Sequence, residues 1–158
     1  MELLHAHRGI LYKVAGGYSR NAADRDDLIQ EICLQLWRAF PRYDRRRPFS
    51  TWMYRVALNV GISRIRRASG APVEPLQDMH METLGSDGDA EERQTRLEAM
   101  YALIGALAPL DRALILLYLD DRSHAEMSDI LGISETNVAT KINRIKHRLR
   151  GQATAGTH

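Results

Sequence analysis

Apolar residues recur at spacings of three and four along most of the chain, and no stretch alternates between apolar and polar residues. A spacing of three to four is the period of an α-helix, whereas a half-buried strand has a period of two. The clearest stripe is C-terminal, where Val138, Ile142, Ile145 and Leu149 share one helical face. The pattern therefore predicts an all-α protein.

Two amphipathic helices are predicted in the first half. One runs from Asp24 to Phe40 and opens with acids, which suit the positive end of a helix dipole. Prolines then delimit a basic loop at residues 41–49. The second helix is predicted to start with Ser50 or Thr51 as its cap and to end near Arg67. The expected apolar stripes are Leu28, Ile29, Ile32, Leu36, Trp37 and Phe40, then Met53, Val56, Ala57 and Val60.

The charges form three blocks, although the net charge is only +2. Residues 42–67 hold eight arginines and one aspartate, residues 74–98 hold eight acids and two arginines, and residues 141–150 hold five bases without an acid. Because clustered bases suit polyanions, this order favours two nucleic-acid-binding modules with an acidic connector.

The predicted organisation follows from these blocks and from the composition between them. Residues 69–90 lack helical periodicity and are rich in Gly, Pro, Ser and acids, so they are predicted to be a flexible linker. We expect two small helical bundles, at residues 1–68 and 91–150, and a disordered tail at residues 151–158.

The segment MSDILGISETNV predicts a helix-turn-helix, because Gly132 can adopt the left-handed turn conformation and Ser134 can cap the next helix. In that helix a basic, amide-bearing face lies beside the apolar stripe, as a helix in the DNA major groove requires. The alternative is a helical hairpin whose charged face is only solvated. The candidate contacts to duplex DNA are Ser134, Thr136, Asn137, Thr140, Lys141, Arg144 and Arg148.

Six of the ten aromatic residues lie between Trp37 and Tyr54, around the most basic loop. Aromatic and arginine side chains together suit unstacked bases, which stack on rings while cations hold the backbone. The alternative is that Trp37, Phe40 and Phe49 are packing residues. The candidate contacts to unpaired bases are Tyr43, Phe49, Trp52, Arg55, Asn59, Ser63, Arg66 and Arg67.

Other classes of function find little support in the sequence. Cys33 is the only cysteine, so it predicts a buried structural thiol and neither a disulfide nor a cysteine-based zinc site. The histidines are scattered, and no HExxH pattern, phosphate loop or nucleophile elbow is present. No apolar run could span a bilayer, and the first residues, MELLHAHRG, lack a charged-then-apolar signal pattern. We therefore expect a cytoplasmic protein that is not an enzyme, with no catalytic residues, bound metal or cofactor.

Two blocks of the sequence together resemble the extracytoplasmic-function sigma factors of bacterial RNA polymerase. The block DRDDLIQEICLQLWRAFPRYDRRRPFSTWMYRVALNVGISRIRR is similar to sigma domain two, and LIGALAPLDRALILLYLDDRSHAEMSDILGISETNVATKINRIKHRLR is similar to domain four. The resemblance implies a subunit that binds core polymerase, directs it to promoters and helps to open the DNA. It also implies a cognate anti-sigma factor as a partner.

The resemblance assigns roles to particular segments. The loop at 41–49 and the helix that ends at Arg67 would capture the nontemplate strand of the minus-ten element, and Asn59 matches the asparagine of the family's YRIARN pattern. The last helix would recognise the minus-thirty-five element, while its domain meets the polymerase flap. The residues that would bind the polymerase clamp helices are Asp27, Gln30, Glu31 and Gln35.

Departures from the family pattern are few. Leu58 stands where arginine is usual, Ser63 where aspartate is frequent, and His124 and Met127 replace the commoner residues of the YEEIA pattern.

Two other functions stay open from the sequence. One is a stand-alone helix-turn-helix regulator, which would leave the aromatic and arginine-rich first block unexplained. The other is a module that binds only protein.

Overall fold

The computed structural model describes residues 2–68 and 88–155, and these residues are almost entirely helical, without a β-strand. The all-α prediction is therefore confirmed. The elements are α1 (Glu2–Ala6), α2 (Arg8–Tyr18), α3 (Ala22–Ala39), a 3-10 turn (Phe40–Arg42), α4 (Phe49–Ala68), α5 (Gly88–Gly105), α6 (Pro109–Leu119), α7 (His124–Leu131) and α8 (Glu135–Ala155).

The first half packs α2, α3 and α4 against each other. The Asn21 side chain caps α3 by accepting a hydrogen bond from the Asp24 backbone N–H at 2.8 Å. The predicted α3 stripe contributes Leu28, Ile32 and Leu36 to the core. The stripe was wrong at Trp37 and Phe40, which are 75% and 43% exposed. The helix ends at Ala39, so Phe40 lies beyond it and Trp37 lies in its last turn.

Helix α4 begins earlier than predicted. Its first residue is Phe49, and the Pro48 carbonyl accepts from the Trp52 backbone N–H at 3.3 Å. The proposed caps were therefore wrong: Ser50 accepts a hydrogen bond from Arg122 in the second half, and Thr51 is buried. Helix α2 was not predicted at all, although it carries much of the core.

The second half packs α6 and α7 against α8. Pro109 occupies the first turn of α6, where its missing N–H costs nothing, and residues 113–117 are all buried. Residues 69–87, most of the predicted linker, lie outside the described residues. The last three residues of the predicted linker, 88–90, form the start of α5. Helix α8 continues to Ala155, so residues 151–155 are helical where a disordered tail was predicted.

The two halves share one continuous apolar core instead of standing apart. Helix α2 contacts α5 and α6, and α4 contacts α6 and α7. A Cβ atom on Gly17 would come within 2.7 Å of Leu116 Cδ1, so the α2–α6 approach depends on the absence of a side chain there. The buried Tyr18 hydroxyl donates to the Pro109 carbonyl at 2.7 Å, and burial raises the pKa of this tyrosine above its usual value.

Candidate nucleic-acid interface

The turn between α7 and α8 has the geometry of a helix-turn-helix. The Ser123 hydroxyl accepts from the Glu126 backbone N–H, and the Glu126 carboxylate accepts from the Ser123 N–H, which forms a capping box at the start of α7. Gly132 ends α7 with φ 71°, the left-handed conformation expected of it. Ser134 then caps α8 by accepting from the Asn137 N–H at 3.1 Å, which agrees with the predicted cap.

Helix α8 buries its apolar stripe and presents its polar face. Val138, Ile142 and Ile145 are at most 3% exposed, so they fix the rotation of the helix about its axis. The candidate DNA contacts lie on the open side, where Lys141 is half-buried and the others are exposed: Ser134, Thr136, Asn137, Thr140, Arg144 and Arg148. The Thr140 hydroxyl donates to the Thr136 carbonyl at 3.0 Å, which leaves its oxygen able to accept.

The polar side of α4 carries the second set of candidate contacts. Four of its members are exposed: Asn59, Ser63, Arg66 and Arg67. Trp52 and Arg55, two turns and one turn before Asn59, are half-buried. The helix is buried on its other sides, where Met53, Tyr54 and Leu58 are at most 1% exposed. Leu58, where the sequence departs from the YRIARN pattern, is therefore a core residue.

The aromatic residues form one cluster at the start of α4. The Trp52 ring centroid lies 5.0 Å from that of Tyr43, 5.5 Å from that of Phe49 and 6.2 Å from that of Phe40. Tyr43 also donates through its hydroxyl to the Arg47 carbonyl at 2.7 Å, which holds the loop in place. Rings that support each other at these distances form a preorganised apolar wall, to which a base could add by stacking.

The residues expected to bind polymerase are split between open surface and internal contacts. Asp27 and Gln30 are exposed on α3, whereas Glu31 and Gln35 are half-buried. The Glu31 carboxylate accepts from Arg67 at 3.1 Å and from Arg64 at 3.3 Å, so it holds α3 against α4.

A shallow groove between α3 and α4 joins these two predicted sites. Its walls carry Glu31 and Gln35 from the first site and Asn59, Ser63 and Arg67 from the second. A molecule that contacts one set therefore lies beside the other.

Sequence reasoning missed the contact between the α4 side and the second half. Arg47 and Arg55 both donate to the Asp129 carboxylate, at 3.3 and 3.4 Å, although they precede it by 82 and 74 residues. Arg55 also donates to the Asp129 backbone carbonyl at 2.6 Å. No periodic signal in a single sequence links positions so far apart.

A second contact network centres on Asp120, at the end of α6. Its carboxylate accepts from Tyr54 at 2.6 Å, from Lys13, and from Arg122 at 3.1 Å. Burial opposes ionisation of Asp120, but these hydrogen bonds outweigh it and lower the pKa of the carboxyl below its usual value. Burial and the Asp120 charge together raise the pKa of Tyr54.

The described ranges, 2–68 and 88–155, were also searched for metal-ligating groups and for membrane-spanning helices. They hold no group of three side chains suited to a metal ion, and none of their helices is long and apolar enough to cross a membrane. Cys33 is half-buried on α3, less enclosed than predicted, and burial raises the pKa of its thiol.

Comparison with known proteins gives two family matches, to Sigma-70 region 2 over residues 3–70 and to Sigma-70, region 4 over residues 97–149. The chain is 26% identical over 152 residues to the ECF RNA polymerase sigma factor SigM of Mycobacterium tuberculosis, covering 94% of this chain and 74% of that protein. It is 26% identical over 163 residues to the ECF RNA polymerase sigma factor SigW of Bacillus subtilis, covering 96% and 87%.

Two solved structures have the same fold. One is CnrH in complex with the cytosolic domain of CnrY, with 24% identity, a TM-score of 0.70, and coverage of 98% of this chain and 86% of that one. The other is the sigma factor RpoE in complex with the anti-sigma factor NepR from Bartonella quintana, with 18% identity, a TM-score of 0.72, and coverage of 96% and 94%.

Proposed function

Because this chain belongs to the extracytoplasmic-function sigma factors of the sigma-70 family, we propose that α4 and α8 divide promoter recognition between unpaired and duplex DNA. The chain binds core RNA polymerase, directs it to specific promoters and takes part in the opening of promoter DNA. Residues 1–68 would engage the minus-ten element and the polymerase clamp, and residues 91–150 the minus-thirty-five element and the flap.

The observation that carries this division is the different chemistry of the two faces. The face of α8 has cations, an amide and hydroxyls on a helix that contains no Phe, Trp or Tyr, which suits the edges and phosphates of stacked base pairs. The α4 side has the polar residues Asn59 and Ser63 on the same helix as a wall of rings that includes Trp52 and Tyr43, which suits bases that have left the duplex.

Partners and location follow from the same family. Both solved relatives are complexes with a regulatory protein, CnrY in one and the anti-sigma factor NepR in the other. We propose that a cognate anti-sigma factor also controls this chain, and that it acts in the cytoplasm, where RNA polymerase is found. The proposed role is binding alone, without catalysis and without a bound cofactor.

The deciding experiment is a mobility-shift titration with and without core polymerase on promoter fragments, selected beforehand from host DNA by their transcription with core plus this chain. Each basic module offers few phosphate contacts, and ordering both at one promoter costs free energy. We expect weak, poorly specific binding by the chain alone and tight, specific binding with core. Strong promoter-specific binding that core leaves unchanged would favour the stand-alone regulator.

A further inference from the structure

The side of α8 that faces directly away from the core is a polar stripe, and it differs from the stripe that the sequence predicted. An α-helix turns by about 100° per residue, so a residue two positions before a buried one lies about 200° from it, almost on the opposite side. The buried residues of α8 are Val138, Ile142 and Ile145. The residues two positions before them, all exposed, form the outer stripe: Thr136, Thr140 and Asn143.

The predicted stripe lies on a flank of the helix. Asn137, Lys141 and Arg144 each precede a buried residue by one position, which places them about 100° from the core. Lys141 is accordingly half-buried, whereas Asn143 is exposed. When a helix lies in the major groove, the side farthest from its own domain faces the base edges, and its flanks face the phosphate backbones. The outer stripe is therefore the side that faces bases.

Cations lie on both flanks of the outer stripe. Lys141 and Arg148 lie on one flank. Lys146 follows the buried Ile145 by one position and so lies on the other flank, with its ammonium nitrogen 4.2 Å from the centroid of the Tyr118 ring on α6. Phosphate contacts from both flanks would fix the helix across the groove and hold the outer stripe over the base edges.

Asn143 carries the group on the outer stripe that is best suited to distinguish bases. Its amide has an acceptor and a donor side by side, and adenine presents the matching N6 donor and N7 acceptor in the major groove. Among residues 2–68 and 88–155, no group is hydrogen-bonded to this amide, so both of its polar atoms are available to DNA. The Thr140 hydroxyl, by contrast, already donates a hydrogen bond to the Thr136 carbonyl at 3.0 Å.

We infer that Asn143 recognises an adenine in the minus-thirty-five element, and that Lys141 binds phosphate instead of a base. This inference rests on the proposed function, because α8 must lie in the major groove of that element. Asn143 was absent from the contacts predicted by sequence, since the predicted face was centred about 100° away from the outer stripe.

The test selects upstream sequences by their binding to the polymerase complex. A promoter fragment that core plus this chain transcribes has its minus-thirty-five element randomised, and the templates bound by core with the full chain are sequenced. The selection is made with the wild type, Asn143→Ala, Lys141→Ala and Asn137→Ala. The last variant is the matched control, because it removes the same amide from a flank of the same helix. Far-UV circular dichroism establishes that each variant is folded.

We expect the wild type to prefer adenine at one or more positions of the element, by about five- to hundredfold over other bases. Asn143→Ala should reduce the preference at one adenine to within about twofold and keep the other preferences. Asn137→Ala should keep them all. Lys141→Ala should weaken binding to all sequences alike and lower the salt slope by about one.

Three results would overturn the inference. The first is an Asn143→Ala protein that selects the wild-type sequence or loses preference for a base other than adenine. The second is loss of the same adenine preference in Asn137→Ala, and the third is loss of a base preference in Lys141→Ala. If the wild type selects no upstream sequence, the proposed role of α8 fails and this inference with it, whereas a wild-type motif that Asn143→Ala retains counts against Asn143 alone.

Discussion

Gly132 is the residue at which a single methyl group should alter the helix-turn-helix most directly. It ends α7 with φ 71° and ψ 28°, and its N–H donates to the Ser128 carbonyl at 2.9 Å. The Ser128 hydroxyl donates to the Ile133 carbonyl at 2.5 Å, so the turn is held on both sides of the glycine. An alanine at this position must keep the left-handed conformation or distort these hydrogen bonds.

The cost of Gly132→Ala can be worked out from backbone strain alone. No atom lies within 4 Å of the position that a Cβ would take, so no collision adds to it. A left-handed conformation costs an L-residue about 1–2 kcal/mol. We therefore expect the free energy of unfolding to fall by about 1 kcal/mol or slightly more, and the Tm to fall by about 2–4 °C if the chain unfolds as one unit.

Urea unfolding followed by far-UV circular dichroism measures this loss. Gly105→Ala is the matched control, because Gly105 also faces open space but lies at the end of α5 without a left-handed φ. That change should be neutral or stabilising, and Gly132→Asn should recover part of the loss, since asparagine tolerates this conformation. Equal stability of Gly132→Ala and Gly105→Ala would refute the argument that a left-handed residue is needed to end α7.

Three further predictions concern DNA binding and pH. Arg144→Ala should weaken promoter binding by the polymerase complex by about 1–3 kcal/mol if the side chain contacts a base, or lower the salt slope by about one if it contacts a phosphate; Arg93→Ala on α5 should do neither. Asn59→Ala should impair opening of duplex promoters, measured by permanganate footprinting, and a premelted bubble should restore part of the activity. Because the folded-state pKa of Asp120 is lowered, its stabilisation is complete above its usual value of 3.8 and is lost as the pH falls through the folded value. Acid unfolding of Asp120→Asn should therefore show a smaller dependence on pH in that range, and an unchanged profile would contradict the role given to its hydrogen bonds.

Much of the candidate site could be predicted because it depends on local rules. The stripe of Val138, Ile142 and Ile145 fixed which side of α8 is buried, and the opposite side had to be the exposed one. The Gly132 turn and the Ser134 cap were also predictable, because left-handed turns and helix starts select residue types within a few positions.

The errors came where nonlocal packing or helix boundaries overrode periodicity. Trp37 and Phe40 continue the α3 stripe, but they lie at and just beyond the end of the helix, and both are exposed. Helix α4 starts at Phe49, so Ser50 caps nothing and instead accepts from Arg122. Tyr54 lies outside the predicted α4 stripe, yet it is fully buried because the second half covers that side, where the Asp120 carboxylate accepts a hydrogen bond from the Tyr54 hydroxyl.

The sequence by itself determined the helical class, the basic faces of both halves and, through two long motifs, the family. These features follow from side-chain period, turn chemistry and composition, all of which are local along the chain. Only the tertiary structure decided that the halves close on each other, that Glu31 pairs with Arg67, and that Asp129 meets Arg47 and Arg55. Such contacts depend on how finished helices fit together in space, and residues more than 30 positions apart carry no local signal of the partner they will meet.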